Sequence, residues 1–320
     1  MKILPKHNIY QNRLLKKGLL LASNRGTLFS AGVSLTLSTF IRPLVILATP
    51  KTERENKQYA CAKSLSSSLI NFGVMLLAST PVANSIAEID KHPEKYLKKS
   101  TIKILQNSEK SLLHSKKYSF ATQLFKLGLG FLIATPKSYL TSNLIPPIMS
   151  KLFPNKNEQK NKQISFTANP AKLPKFIGKI IDTKCFQKLV NKYHNTNYEM
   201  NLMNLTDMTA TGAFVATASK NRNIENKYKR PLIYNAIIST GLSITGGHLI
   251  NKSTQKTTAK FIEKFVEQNK NSKNLHKYVE GIHIAKSALI LGGIYYLVIP
   301  VISTYVSEKI DKHLKHNRQS

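Results

Sequence analysis

Apolar stretches free of formal charge alternate along this chain with lysine-rich ones, and that alternation predicts its elements. Ser287 to Ser307 (SALILGGIYYLVIPVISTYVS) runs 21 residues without Asp, Glu, Lys or Arg. As a helix it is long enough to cross the roughly 30 Å apolar core of a bilayer. Ser64 to Ala87 runs 24 residues in the same way, and Pro231 to Asn251 runs 21. Gly26 to Pro50 is interrupted only by Arg42. Its Pro43 leaves two readings open: a short span whose arginine reaches the interface, or a core helix broken at the proline. Met208 to Ser219 is a shorter uncharged run of 12 residues.

A sixth apolar region, Tyr118 to Phe153, carries Lys126, Lys137, Pro136, Pro146 and Pro147. Proline removes a backbone donor and crowds the preceding turn, so a broken or kinked helix is expected here. Irregular backbone of that kind is tolerated at membrane depth only where protein or water satisfies it. Pro136, Pro146, Pro147 and Pro300 are therefore the candidate helix-break positions. Gly241, Gly246 and Gly247 are the candidate packing positions, because small residues let helices approach closely in lipid.

The polar stretches complete the layout. Residues 1–25 form a basic segment with leucines at Leu14, Leu15, Leu19, Leu20 and Leu21, read as an uncleaved interfacial helix rather than a signal or transit peptide. Glu88 to Lys117 reads as one or two surface helices. Residues 154–207 begin as a linker rich in Lys, Asn and Gln and continue as a basic amphipathic helix. In that helix Phe176, Ile177, Ile180, Ile181, Leu189 and Val190 recur at helical spacing, with lysines mainly between them. It fits an in-plane membrane helix or an ordinary packed one equally well. The predicted divisions are thus 1–25, a first helical half 26–153, the linker region 154–207, a second half 208–307 and a basic tail 308–320.

The two halves share an order of apolar and charged runs. VIPVIST (Val298 to Thr304) resembles LIPPIMS (Leu144 to Ser150), and Glu-Asn-Lys occurs at Glu55 to Lys57 and again at Glu225 to Lys227. The expected fold is all-α: a multi-helix membrane bundle of two related three-segment halves joined by amphipathic helices. If each half crosses three times, the second copy sits upside down, as in transporters built from inverted repeats. Strict alternation puts 24 Lys and Arg on the N-terminal side and 22 on the other, so charge assigns no orientation.

Composition narrows the chemistry. Forty-eight Lys and Arg against 16 Asp and Glu give a net charge of +32. That attracts anionic surfaces, and lipid headgroups are the expected partner. Nucleic acid is the less favoured one, because the aromatic residues lie in or beside the apolar runs instead of alternating with lysine in a polar groove. Only seven of the 48 are Arg, so bidentate phosphate recognition is not a theme. Cys61 and Cys185 lie far apart without metal-ligand spacing, as expected of free thiols in a reducing compartment.

No phosphate-binding glycine loop, nucleophile elbow, HExxH or EF-hand pattern occurs. His276 and His283 lack accompanying ligands, and His248 stands alone in an uncharged run. No buried carboxylate of the kind that couples ions or protons is foreseen in either half. No catalytic residue, metal or cofactor is therefore assigned, and a non-enzymatic role is expected.

The stretches TPKTERENKQYACAKS (Thr49 to Ser64), GLSITGGHL (Gly241 to Leu249) and SALILGGIYYLVIPVIST (Ser287 to Thr304) resemble those of uncharacterised bacterial multi-helix membrane proteins. The resemblance runs from Arg42 to Ser307. It implies an all-helical protein of the bacterial inner membrane and carries no activity or functional residue. A structural or interaction role is the first expectation, a small-solute transporter or channel the second, and a soluble nucleic-acid-binding helical protein the third.

Overall fold

The computed structural model describes residues 9–48, 54–109, 111–152, 172–196, 198–220, 226–299 and 302. Every element among them is helical. Six long helices carry the apolar runs: α2 (Gly26–Ala48), α3 (Arg54–Lys91), α6 (Lys116–Leu152), α9 (Tyr198–Lys220), α10 (Asn226–Ser253) and α12 (Leu275–Gly293). The last continues as a π-helical turn over Ile294–Val298. Between them lie the shorter α1 (Arg13–Asn24), α4 (Pro93–Tyr96), α5 (Lys99–Gln106), α7 (Leu173–Ile181), α8 (Lys184–Tyr193) and α11 (Gln255–Gln268).

The short helices gather at one end of the long ones and form a collar. Asn269 Nδ2 donates to Tyr10 O at 3.1 Å, tying the end of α11 to the turn before α1. Lys98 N donates to Asp182 Oδ1 at 3.1 Å, and Gln187 Nε2 to Thr101 Oγ1 at 3.1 Å, joining α7 and α8 to α5. Asn12 caps α1 by accepting from Leu14 N and Leu15 N. Thr183 caps α8 by accepting from Phe186 N, so the single amphipathic helix expected after residue 174 is two helices with a break at Asp182 and Thr183. Their buried faces pack on α3, α5 and α6 through Ile177, Ile181 and Val190. The N-terminal helix is likewise no free interfacial segment. Leu19 is buried with Phe265, Tyr278 and Ile282 of α11 and α12.

The directions of the long helices follow from which residues meet. A Cβ on Gly26 would meet Leu127 Cδ2 at 2.5 Å and Ile284 Cγ2 at 3.6 Å, and one on Gly292 would meet Val33 and Leu37 of α2. α2 and α12 are therefore parallel. Phe120 and Tyr198 stack edge to face at 4.7 Å, and Gly130 faces Thr206, so α6 and α9 are also parallel. Asn204 meets His248 and Thr211 meets Thr240, which makes α9 and α10 antiparallel. Ser68 meets Tyr296, so α3 runs against α12. α2, α6, α9 and α12 thus lead away from the collar, and α3 and α10 return to it. Strict alternation of six crossings would instead have α9 and α12 run against α2 and α6.

These contacts also align the apolar runs. Gly26, Leu127 and Ile284 share a level, and Lys286 Nζ donates to Asn251 O at 3.2 Å. The charge-poor runs of α2, α6, α10 and α12 therefore meet the collar at one common height.

The helices continue through several of their prolines. α6 is assigned as one helix through Pro136, Pro146 and Pro147, α2 continues through Pro43, and α3 through Pro81. A proline inside a helix removes one hydrogen bond and distorts locally, while the turns on either side keep their own bonds. α9 begins at Tyr198, ahead of the uncharged run that starts at Met208. Pro300 and residues 308–320 lie outside the described residues.

Candidate functional site

Where α1, α3, α6, α9 and α12 meet at the collar, the structure assembles a polar cluster that no local motif announces. The α1 to α2 joint begins it. α1 stops at Asn24, which leaves the carbonyl of Ser23 among those without a helical partner. Gln123 Nε2 donates to Ser23 O at 2.6 Å, and Lys126 Nζ donates to the same oxygen at 3.2 Å. Residues 123 and 126 lie three apart and so share one face of α6. An ammonium at the C-terminal end of a helix is also favoured by the helix dipole.

Glu280 of α12 forms the centre. Its carboxylate accepts hydrogen bonds from Ser23 Oγ on one side and Ser119 Oγ on the other. Tyr198 hydrogen-bonds both Ser119 and Glu199. A chain of hydroxyls therefore links two carboxyl groups on different helices. Nearby, Tyr118 Oη donates to Asp90 Oδ1 at 2.7 Å, and Lys277 Nζ lies 3.9 Å from Asp90 Oδ2.

Burial sets the electrostatics. Ser23 and Gln123 are fully buried, Lys126 is 7% exposed and Glu199 is 9% exposed. Loss of hydration pushes the Glu199 carboxyl up to about 7, with the negative charge of Glu280 adding to the effect and the Tyr198 hydrogen bond opposing it. Burial, reinforced by the charges of Glu199 and Glu280, likewise raises the Tyr198 phenol. Glu199 lies in the region 154–207, outside the two halves for which no buried carboxylate was expected. Glu199 sits one residue inside a helix start that periodicity alone placed in a linker region, and only tertiary packing covers it.

The sequence candidates fall elsewhere. Gly246 and Gly247 lie where α10 packs on α12: a Cβ on the former would meet Ile294 Cδ1 at 3.3 Å, and one on the latter Leu291 Cδ2 at 2.9 Å. Gly241 has nothing within 4 Å. Pro136, Pro146 and Pro147 lie within α6, away from the cluster, and Pro300 is outside the described residues. His248 pairs with Asn204 at 3.2 Å between α9 and α10. His276 packs edge to face on His114 at 4.9 Å. Among the described residues no group of three His, Cys, Asp or Glu could hold a metal ion, and Cys61 and Cys185 are both free.

Two features could have pointed to the cluster in advance. Ser23 and Asn24 stand just before a glycine at a predicted helix joint, and Glu280 interrupts an otherwise apolar spacing over Tyr278, Ile282 and Ile284. Family models, curated proteins and solved structures were compared with the chain, and none matches it.

Three helical segments are long and apolar enough to cross a membrane: Gly26–Ala48, Ser64–Lys91 and Leu275–Val298.

Proposed function

We propose that the chain is an integral membrane protein of a bacterial inner membrane, with a structural or interaction role rather than a catalytic one. One observation carries this reading: large apolar side chains of the first two candidate spans are left uncovered. Phe40 is 65% exposed, Leu44 64% and Leu77 77%, while the third span is half buried. In water such a face is costly at about 25 cal/mol for each Å². In lipid it is the face expected. The polar contacts of the shaft are made between helices, as Ser68 with Tyr296 and Thr211 with Thr240.

The shared order and direction of helices in the two halves support a duplication of one three-helix unit. The relating axis then runs along the bundle, as between the parallel halves of some transporters. The part-buried Glu280 and its cluster favour a second reading, a small-solute transporter, because intramembrane or boundary ionisable groups are expensive and usually retained for function.

Chain direction favours a third reading, a water-soluble bundle. α6 leads away from the collar and α7 lies within it, while residues 153–171 between them contain Lys156, Glu158, Lys160 and Lys162. A return through lipid would strand those charges. Within a membrane it is tolerated only where protein or water lines the path. Alkaline carbonate washing of membranes tests the assignment. Retention in the pellet is expected, and release of a folded monomer without detergent would overturn it.

A further inference from the structure

The collar brings together basic segments that strict alternation would have divided between two faces. Among the described residues, 9–25, 88–109, 111–126, 172–196, 198–199 and 252–286 hold 26 Lys and Arg, against eight in 54–63, 151–152, 220 and 226–230 at the opposite end. The helix directions therefore gather most of the described Lys and Arg at the collar. Lys175, Lys179, Lys188 and Lys192 are exposed on α7 and α8. Among them stand apolar side chains that the collar leaves uncovered: Phe176 at 60% exposure, Leu189 at 40%, and Leu14 of α1 at 78%.

We propose that the collar is a docking face for acidic phospholipid headgroups and that it lies on the cytoplasmic side of the membrane, with the opposite end outside. This rests on the membrane reading given above. Cytoplasmic connections carry the excess of Lys and Arg in membrane proteins, and juxtamembrane lysines are drawn to anionic lipid. Lysine stems lie along apolar surface while their ammonium groups reach the headgroups, and exposed Phe and Leu enter the headgroup boundary between them. Nucleic acid accounts for the charge but not for the uncovered apolar side chains beside it. Ammonium groups also lack the planar fork that reads phosphate bidentately. The apolar runs of α2, α6, α10 and α12 meet the collar at a common height, so headgroup binding and insertion use one continuous surface.

Two thiol positions report the sidedness. Cys185 is exposed on α8 in the collar, and Gln58 is exposed near the start of α3 at the opposite end. One variant keeps Cys185 and carries Cys61→Ser. A second carries Gln58→Cys in a Cys61→Ser, Cys185→Ser background. A membrane-impermeant maleimide added to intact spheroplasts is expected to label the second and spare the first, with the reverse in inverted vesicles. Labelling of both positions from one side, or of Cys185 from outside, overturns the proposal while leaving the protein in the carbonate-washed pellet. Loss of the protein from that pellet is a different result and removes the membrane reading itself.

The lipid specificity has its own measurement. In mixed micelles, phosphatidylglycerol is expected to raise the unfolding temperature of the detergent-purified protein, and phosphatidylcholine is not. Replacing Lys175, Lys179, Lys188 and Lys192 by Gln should weaken that response by on the order of fivefold in lipid concentration for each lysine removed. Equal shifts with both lipids overturn headgroup recognition. A shift with duplex DNA and none with phosphatidylglycerol replaces it with nucleic-acid binding.

Discussion

The collar and the shaft of long helices invert the usual relation between composition and burial. The collar is the lysine-rich part of the chain, yet Ile89, Leu105, Ile181, Val190 and Phe265 are completely buried there. The shaft is the apolar part, yet Leu77, Leu132, Phe40 and Leu44 are among its most exposed side chains. In the collar, water surrounds short amphipathic helices, so each turns its apolar face inward and leaves lysines outside. In the shaft, α2 and α3 leave most of their apolar runs uncovered, while the apolar segment of α12 is half buried. The difference teaches that hydropathy measures how poorly a segment suits water, while burial records which neighbour relieves it.

The comparison can be broken most severely at the joint between collar and shaft. A Cβ on Gly281 of α12 would fall inside van der Waals contact with the Leu19 carbonyl of α1. Backbone cannot yield as a side-chain tip does, so Gly281→Val should cost about 3 kcal/mol or more, read as a lower unfolding temperature in detergent. Gly73→Ala in α3 is its counterpart, with nothing within 4 Å, and should leave stability unchanged or slightly higher.

Next in size is Leu77→Arg on the outer face of the shaft. A central arginine raises the cost of insertion by about 3 kcal/mol, so the protein should disappear from carbonate-washed membranes. An unchanged pellet with an intact fold would mean that this face meets water.

Glu199 sharpens the collar side of the contrast. Its folded value of about 7 lies above the ordinary 4.5, so the fold favours the protonated form. Stability from this group is complete below pH 4.5 and is lost as pH rises through 7, by up to about 3 kcal/mol. The groups facing it are Tyr198 and Glu280. Glu199→Gln should flatten the pH dependence of unfolding over this window and raise stability above pH 7. A titration identical to that of the unaltered chain would remove Glu199 as its source.

The smallest effect is expected for Leu44→Ala. With most of its side chain already uncovered, it should change the unfolding temperature in detergent by the equivalent of about 0.5 kcal/mol or less. A loss of several times that size would reveal a protein neighbour on the face assigned to lipid.

Much of the helical layout was legible in residue order. The uncharged runs appear within α2, α3, α9, α10 and α12, and the apolar spacing over Phe176 to Val190 appears as α7 and α8. Gly246 and Gly247 were expected to admit a neighbouring helix, and α12 is that neighbour. α6 continues through its prolines, because steric cost at one residue does not decide whether the turns on both sides stay paired. The polar cluster escaped altogether. Ser23, Ser119, Glu199 and Glu280 are separated by long stretches of chain, and no spacing rule joins a serine at a helix joint to a glutamate more than 250 residues later.

Local order determined that this chain is helical, where its charge-poor runs lie and that it is strongly basic, since turn geometry and side-chain hydration act within a few residues. Only the tertiary structure decided that α2, α6, α9 and α12 run parallel, that most of the described Lys and Arg gather at the collar and that two carboxyl groups are joined by hydroxyls. Those properties depend on which distant surfaces exclude water from one another, and that choice is made by packing across the whole bundle.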